Sequence, residues 1–203
     1  SEYFMFCARL MKPEPKQGKG GAPCMIVFCA YQQQFDVIHW AADAGFTKYI
    51  PLTFIKNYSP QVLKANMKIV GATEHALVLY RDRLPKFNND NRMIFNWMTW
   101  ERDGREIPKI HPTQKPLSLL KRLIEIFTDV GDVVIDPCAG SGSTLRAAFE
   151  MGRNPKHGLV QYRRFFVADG AKQTPIISIP YYDPRTKTYK RVSAGGTELL
   201  YIK

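Results

Sequence analysis

Apolar positions along this chain recur with two different periods, and the changes of period mark its elements. Near the amino end Phe4, Met5, Ala8 and Met11 fall at helical spacing with Arg9 off that face, which predicts a helix over residues 1–11. Lys12 to Pro23 holds three prolines and three glycines among lysines and predicts a loop, since proline removes a backbone donor and glycine leaves φ unrestrained. The unbroken apolar run Cys24-Met25-Ile26-Val27-Phe28-Cys29-Ala30 predicts a buried parallel strand. From Gln32 to Ala44, Phe35, Ile38, His39 and Ala42 share one face of a predicted helix that Gly45 stops, with His39 expected to pack beside Trp40. Thr47 to Lys56 alternates and predicts a half-exposed strand, Ala76 to Arg81 predicts a buried one, and the polar, basic stretch Asn57 to Gly71 between them predicts a loop or a short helix.

The second half changes texture twice. Arg83 to Ile110 mixes Arg92, Arg102 and Arg105 with Phe95, Trp97, Trp100 and several asparagines, and reads as an irregular segment. Basic side chains neutralise phosphates, amides read base edges and aromatic faces stack on bases, so a nucleic-acid surface competes here with plain surface whose tryptophans pack on the core. Regular periodicity then returns, with Leu119, Leu120, Leu123, Ile124 and Phe127 forming one stripe of a helix over Ser118 to Thr128, begun by Pro116. Val133-Val134-Ile135 predicts a strand ending at Asp136, followed by a small-residue turn with two glycines that leads into the helix-forming run Leu145 to Glu150. Glycine admits positive φ and close ligand approach, and a helix start presents unpaired N–H groups, so this turn suits a polar or anionic ligand; many α/β turns need glycine for steric reasons alone.

Composition narrows the classes. The 203 residues carry a formal charge of +11, which points to a polyanionic partner or a strongly solvated surface. Cys7, Cys24, Cys29 and Cys138 have no Cys-x-x-Cys spacing, so neither a zinc site nor a disulfide framework is expected, and a reducing cytoplasmic compartment is. No charged-apolar-small leader and no apolar run of membrane-spanning length is found, so no membrane association is expected.

Two motifs in order carry more than either glycine: His111-Pro112-Thr113-Gln114-Lys115-Pro116, and, after the amphipathic run, Asp136-Pro137-Cys138-Ala139-Gly140-Ser141-Gly142-Ser143-Thr144. In this order and spacing the chain, from Ser1 to about Gly158, resembles the amino-group DNA methyltransferases, which methylate the exocyclic amine of adenine or cytosine with S-adenosylmethionine. Cys138 replaces the family's aromatic residue and Ser143 its first threonine. The resemblance implies an α/β fold, a Rossmann-like methyltransferase sheet with helices on both faces, spanning residues 1–160. Within it, residues 83–110 are the expected DNA-recognition insertion and residues 111–152 the cofactor half. It also implies that Thr113, Lys115, Asp136, Cys138, Ala139, Gly140, Ser141, Gly142, Ser143 and Thr144 hold S-adenosylmethionine, and that Arg92, Trp97, Trp100, Arg102 and Arg105 meet double-stranded DNA.

Two features depart from the family. Gly158-Leu159-Val160-Gln161 offers no acidic residue for the ribose hydroxyls, and the catalytic Asp/Asn/Ser-Pro-Pro-aromatic tetrapeptide is found nowhere in the chain. Family order places that tetrapeptide just before Ser1, so a missing amino-terminal segment or a second chain is expected to supply it; no catalytic residue is assigned. The alternative is a catalytically silent DNA- or cofactor-binding module of the same fold. An unrelated phosphate-binding protein is disfavoured, because the loop lacks the P-loop lysine. Residues 161–203 form a C-terminal extension in which Thr174 to Tyr182 and Thr186 to Val192, flanking Asp183-Pro184-Arg185, predict a β-hairpin.

Overall fold

Backbone hydrogen bonds gather the apolar runs of the amino-terminal half into one mixed sheet. The structure, a computed structural model, describes residues 2–16, 20–58, 61–107, 109, 114–153, 177–183 and 188–194. It divides into two units, one of Ser1–Arg102 with Glu125–Thr128 and one of Asp103–Ile124 with Asp129–Lys203.

In the first unit α1 (Glu2–Leu10) precedes β1 (Met25–Cys29), a single 3₁₀ turn at Tyr31–Gln33, α2 (Gln34–Asp43) and β2 (Lys48–Lys56). A hairpin of β3 (Gln61–Lys64) and β4 (Ile69–Gly71) follows, then β5 (Thr73–Tyr80) and β6 (Trp97–Trp100). The sheet order is β1-β5-β2-β6, with β5 antiparallel to both its neighbours and β6 parallel to β2. β5 is central, and Ala76, Leu77 and Val78 are wholly buried, as its unbroken apolar run requires. Phe4, Val37, Ala41, Phe46, Leu77 and Leu79 form one core cluster. Completely burying a leucine such as Leu77 contributes about 2 kcal/mol, so this cluster contributes substantially to the stability of the unit.

Several expectations are corrected here. β1 is antiparallel to β5 and half-buried along its length, because an apolar run specifies burial but not the direction of its partner. The helix α2 turns Val37 and Ala41 inward, while Phe35 is 81% exposed and His39 is exposed, so His39 does not pack. The preceding 3₁₀ turn winds more tightly than an α-helix and so alters the phase with which α2 begins. Within Asn57 to Gly71 the structure has a hairpin over 61–71 rather than a loop or helix: Val62 pairs with Val70, and Lys68 closes the turn at φ 54. The segment read as irregular contains β6, which joins the main sheet.

The proline- and glycine-rich stretch has no regular element among its described residues, yet it is tied down. The Glu14 carboxylate accepts the N–H groups of Asp82 and Arg83, both at 3.1 Å. The Arg83 guanidinium in turn donates to the carbonyls of Pro15 and Lys16. Asn88 similarly donates to the carbonyls of Glu125 and Thr128 at 3.2 and 2.9 Å.

The second unit holds α3 (Leu117–Phe127, whose last residues fall in the first unit), α4 (Ser143–Glu150) and the antiparallel pair β7 (Ile177–Asp183) and β8 (Thr188–Ala194). The pair is the expected carboxy-terminal hairpin. Val133 to Asp136 is a correction: this half-buried run pairs with no strand among the described residues. β-branching favours an extended backbone but cannot provide the neighbour whose hydrogen bonds make a strand. Thr113, Val160 and Gln161 lie outside the described residues, as do His111 and Pro112. No described helix is long and apolar enough to cross a membrane.

Candidate functional site

The turn between Asp136 and α4 is built by its own backbone. Asp136 Oδ1 accepts the N–H of Cys138 at 3.0 Å, a local side-chain turn that rounds the bend. Gly140 and Gly142 both take positive φ, 51 and 76 degrees, and the Gly142 N–H reaches the Ala139 carbonyl at 2.7 Å. Gly142 is the N-cap of α4, and its carbonyl accepts from Arg146 at 2.9 Å. The N–H groups of Ser143, Thr144 and Leu145 therefore have no intrahelical acceptor, and the cap glycine brings no side chain to them.

The side chains divide by direction. Ser141 and Ser143 are buried, and their hydroxyls bond each other at 2.7 Å, so they stiffen the turn and leave ligand contact to backbone groups. Ala139 and Gly142 are buried, Thr144 and Lys115 half-buried, and Cys138 and Gly140 exposed. A Cβ on Gly140 would meet nothing nearer than the Cys138 carbonyl oxygen at 3.8 Å, so space opens beside the helix start. An anionic or zwitterionic head group fits such a cradle: N–H donors, the positive end of a helix dipole and Asp136 Oδ2, to which no described residue donates.

Two helices brace the turn. Leu117, Leu120 and Ile124 of α3 pack against Ala147 and Ala148 of α4. Glu150 joins the helices on their outer side, at 2.6 Å from Lys121 and 2.7 Å from Arg146. Burial pushes the Glu150 carboxyl up, but hydrogen bonds and charge from Lys121 and Arg146 outweigh it, and the net shift is below the ordinary 4.5. A carboxyl lowered on folding stabilises the fold above its unfolded value, and that stabilisation is lost as pH falls through the folded value. Glu150→Gln is accordingly expected to cost about 0.5–1 kcal/mol at neutral pH. In urea titrations across pH the difference from wild type should shrink below about pH 4.5, its unfolded reference.

Side chains from outside α3 satisfy both of its ends. Asp103 Oδ1 accepts the Leu117 N–H at 2.7 Å. Burial raises the Asp103 carboxyl, opposed by the N–H groups of Leu117 and Ser118 and by the charge of Arg146. At the other end the buried Arg153 donates to the Ile124 carbonyl at 3.5 Å and to the Met151 carbonyl at 2.6 Å.

The residues expected at DNA fall into different settings. Trp100 is 5% exposed and meets Phe28 and Phe54 edge-on, so it belongs to the sheet core and not to a stacking surface. Trp97, on the opposite face of the same strand, is 45% exposed and stacks on Phe95 at 5.6 Å. Arg92 and Arg102 are exposed, and the Arg102 guanidinium lies 3.7 Å from the Tyr58 ring centroid. Arg105 is exposed in the second unit.

Residues 18–180 match a family model described as DNA methylase. The chain belongs to the DNA methylase family. Among its relatives, the type II methyltransferase M2.MboI of Moraxella bovis is 30% identical over 134 residues, covering 62% of this chain and 47% of that protein. The DNA adenine methyltransferase YhdJ of Escherichia coli K12 is 37% identical over 100 residues, covering 48% of this chain and 34% of that protein. The chain thus spans less than half the length of these relatives. Among solved structures, the M1.HpyAVI–SAM complex superposes with a TM-score of 0.62 at 24% identity, over 75% of this chain and 72% of that one. The mixed α/β fold is therefore that of known methyltransferases.

In this DNA methylase the small-residue turn was legible in the sequence, whereas the bracing contacts of Asp103, Glu150 and Arg153 were not. A carboxylate four residues from an arginine on a predicted helix was a signal for Glu150. Asp103 and Arg153 act across many residues, and nothing local announces them.

Proposed function

We propose that this chain is the cofactor-binding part of an S-adenosylmethionine-dependent DNA methyltransferase acting on an exocyclic amine, assigned as that of adenine in preference to cytosine. The observation that carries the reading is the Gly140–Gly142 turn, left-handed at both glycines and opening onto the uncapped first turn of α4, in a chain of the DNA methylase family. When bound, S-adenosylmethionine supplies an electrophilic methyl group on its sulfonium. The N–H groups of Ser143 and Thr144, with that of Gly140, hold the donor's carboxylate, Asp136 Oδ2 takes its ammonium, and Thr113 and Lys115 add polar contacts. Relatives named as a DNA adenine methyltransferase and as a type II methyltransferase support the substrate class.

In this reading Arg92, Trp97 and Arg102 of the first unit meet DNA, as does Arg105 of the second, and the polyanion suits a chain of formal charge +11. The catalytic tetrapeptide comes from a segment outside these residues or from a second chain, so the 203 residues alone are expected to lack full activity. Calorimetry with S-adenosylmethionine tests the first claim; no heat at millimolar donor would sink it. The second is tested by the salt dependence of duplex binding. Each lost phosphate contact lowers the slope of log affinity against log salt by about 0.9, so Arg102→Ala with Arg105→Ala should flatten it by roughly 2. An unaltered slope returns both arginines to plain surface.

A further inference from the structure

The helix that follows the His-Pro-Thr-Gln-Lys-Pro motif has no cap of its own. Pro116 occupies the N-cap, its carbonyl accepting the Leu120 N–H at 3.1 Å, and proline has no side-chain oxygen to offer the first turn. The acceptor comes instead from Asp103, separated by 14 residues, whose Oδ1 stands 2.7 Å from the Leu117 nitrogen. A Ser or Asp within the motif would fix the helix start locally. Here the chain direction through Gln114, Lys115 and Pro116 into α3 is set from outside the motif. Arg146, in the first turns of α4 just beyond the glycine turn, also acts electrostatically on Asp103, and Glu106 opposes it. Asp103 therefore fixes the helix start after Lys115 while feeling the charge of an α4 side chain.

We propose that Asp103 is a positioning residue of the methyl-donor site, holding the entry to α3 so that Lys115 stands where the donor needs it. This rests on the donor-site reading of the glycine turn. Asp103 touches no donor atom; it acts through the backbone of Leu117.

Donor affinity of the full 203-residue chain tests it, measured by calorimetry with S-adenosylmethionine in the cold, where every variant that shows a cooperative unfolding transition is folded. Misplacing a binding group by about an ångström costs affinity steeply, so Asp103→Ala should raise Kd by about tenfold or more. Asp103→Asn retains a capping oxygen and should stay within about threefold of wild type. Glu150→Gln loosens the same pair of helices without touching the start of α3, and should leave Kd unchanged. The proposal is overturned if Asp103→Ala binds like wild type, if Asp103→Asn is no better than Asp103→Ala, or if Glu150→Gln weakens binding as much. No heat from wild type would instead bring down the donor-site reading, and this proposal with it.

Discussion

Gly140→Val is expected to weaken S-adenosylmethionine binding by about a hundredfold, some 2.7 kcal/mol, while the chain stays folded. The two halves of that result come from different facts. Inside the protein a new Cβ at this position meets only the Cys138 carbonyl oxygen, at 3.8 Å, which is an ordinary contact, so the Cβ itself displaces no neighbour. Folding then bears only the strain of a β-branched residue at φ 51, about 1–2 kcal/mol. Outside the protein, the branched side chain occupies the space beside the N–H groups of Ser143 to Leu145, where the donor's carboxylate would lie. Gly140→Ala carries most of the same strain with less bulk and should bind between wild type and Gly140→Val. Calorimetry read beside thermal unfolding separates the two. Lost binding in a protein with a normal transition supports the cradle, whereas full affinity in Gly140→Val removes the turn from the donor site.

The sequence was most legible where burial repeats with a period. Phe4 and its helical neighbours marked α1, the Met25–Cys29 run marked β1, and the Leu120-Ile124 stripe marked α3, because each element must turn apolar atoms away from water. Gly45, at φ 91, ended α2 as expected, since a left-handed residue there lets the last carbonyls find donors. The two left-handed glycines of the site were legible for the same reason. Pairing was not legible: nothing in Met25-Ile26-Val27-Phe28-Cys29 says that its partner runs antiparallel, because that depends on where the intervening chain leads. Asn57 to Gly71 looked too polar for strands, yet a two-stranded hairpin needs only its own cross-strand bonds, with Val62 against Val70. Asp103 and Arg153 were invisible because capping from a distance leaves no fixed spacing, unlike a local Ser or Asp at the N-cap.

Trp97 and Trp100 were read together from sequence as one nucleic-acid surface, and their separation by an odd number of positions on a strand is what divides them. Alternate side chains of a strand point to opposite faces, so only one of the two can reach the core. Trp100 takes that place: 5% exposed, its ring lies 6.1 Å from Phe54 and 6.4 Å from Phe28, with Lys56 Nζ 5.1 Å from its centroid. Trp100→Ala should therefore destabilise the chain by about 3–5 kcal/mol, the cost of a large cavity against a central strand pair. Trp97→Ala removes one offset stack with Phe95, itself 74% exposed, and should cost no more than about 1 kcal/mol. If Trp97 stacks on a base, duplex affinity should fall about fivefold or more, with the salt slope unchanged because no phosphate contact is lost. Urea midpoints and duplex binding over a salt series read both effects on the same two variants. A Trp97→Ala protein that binds duplex like wild type leaves DNA contact to the arginines, and a Trp100→Ala protein of wild-type stability would mean that β6 does not belong to the sheet.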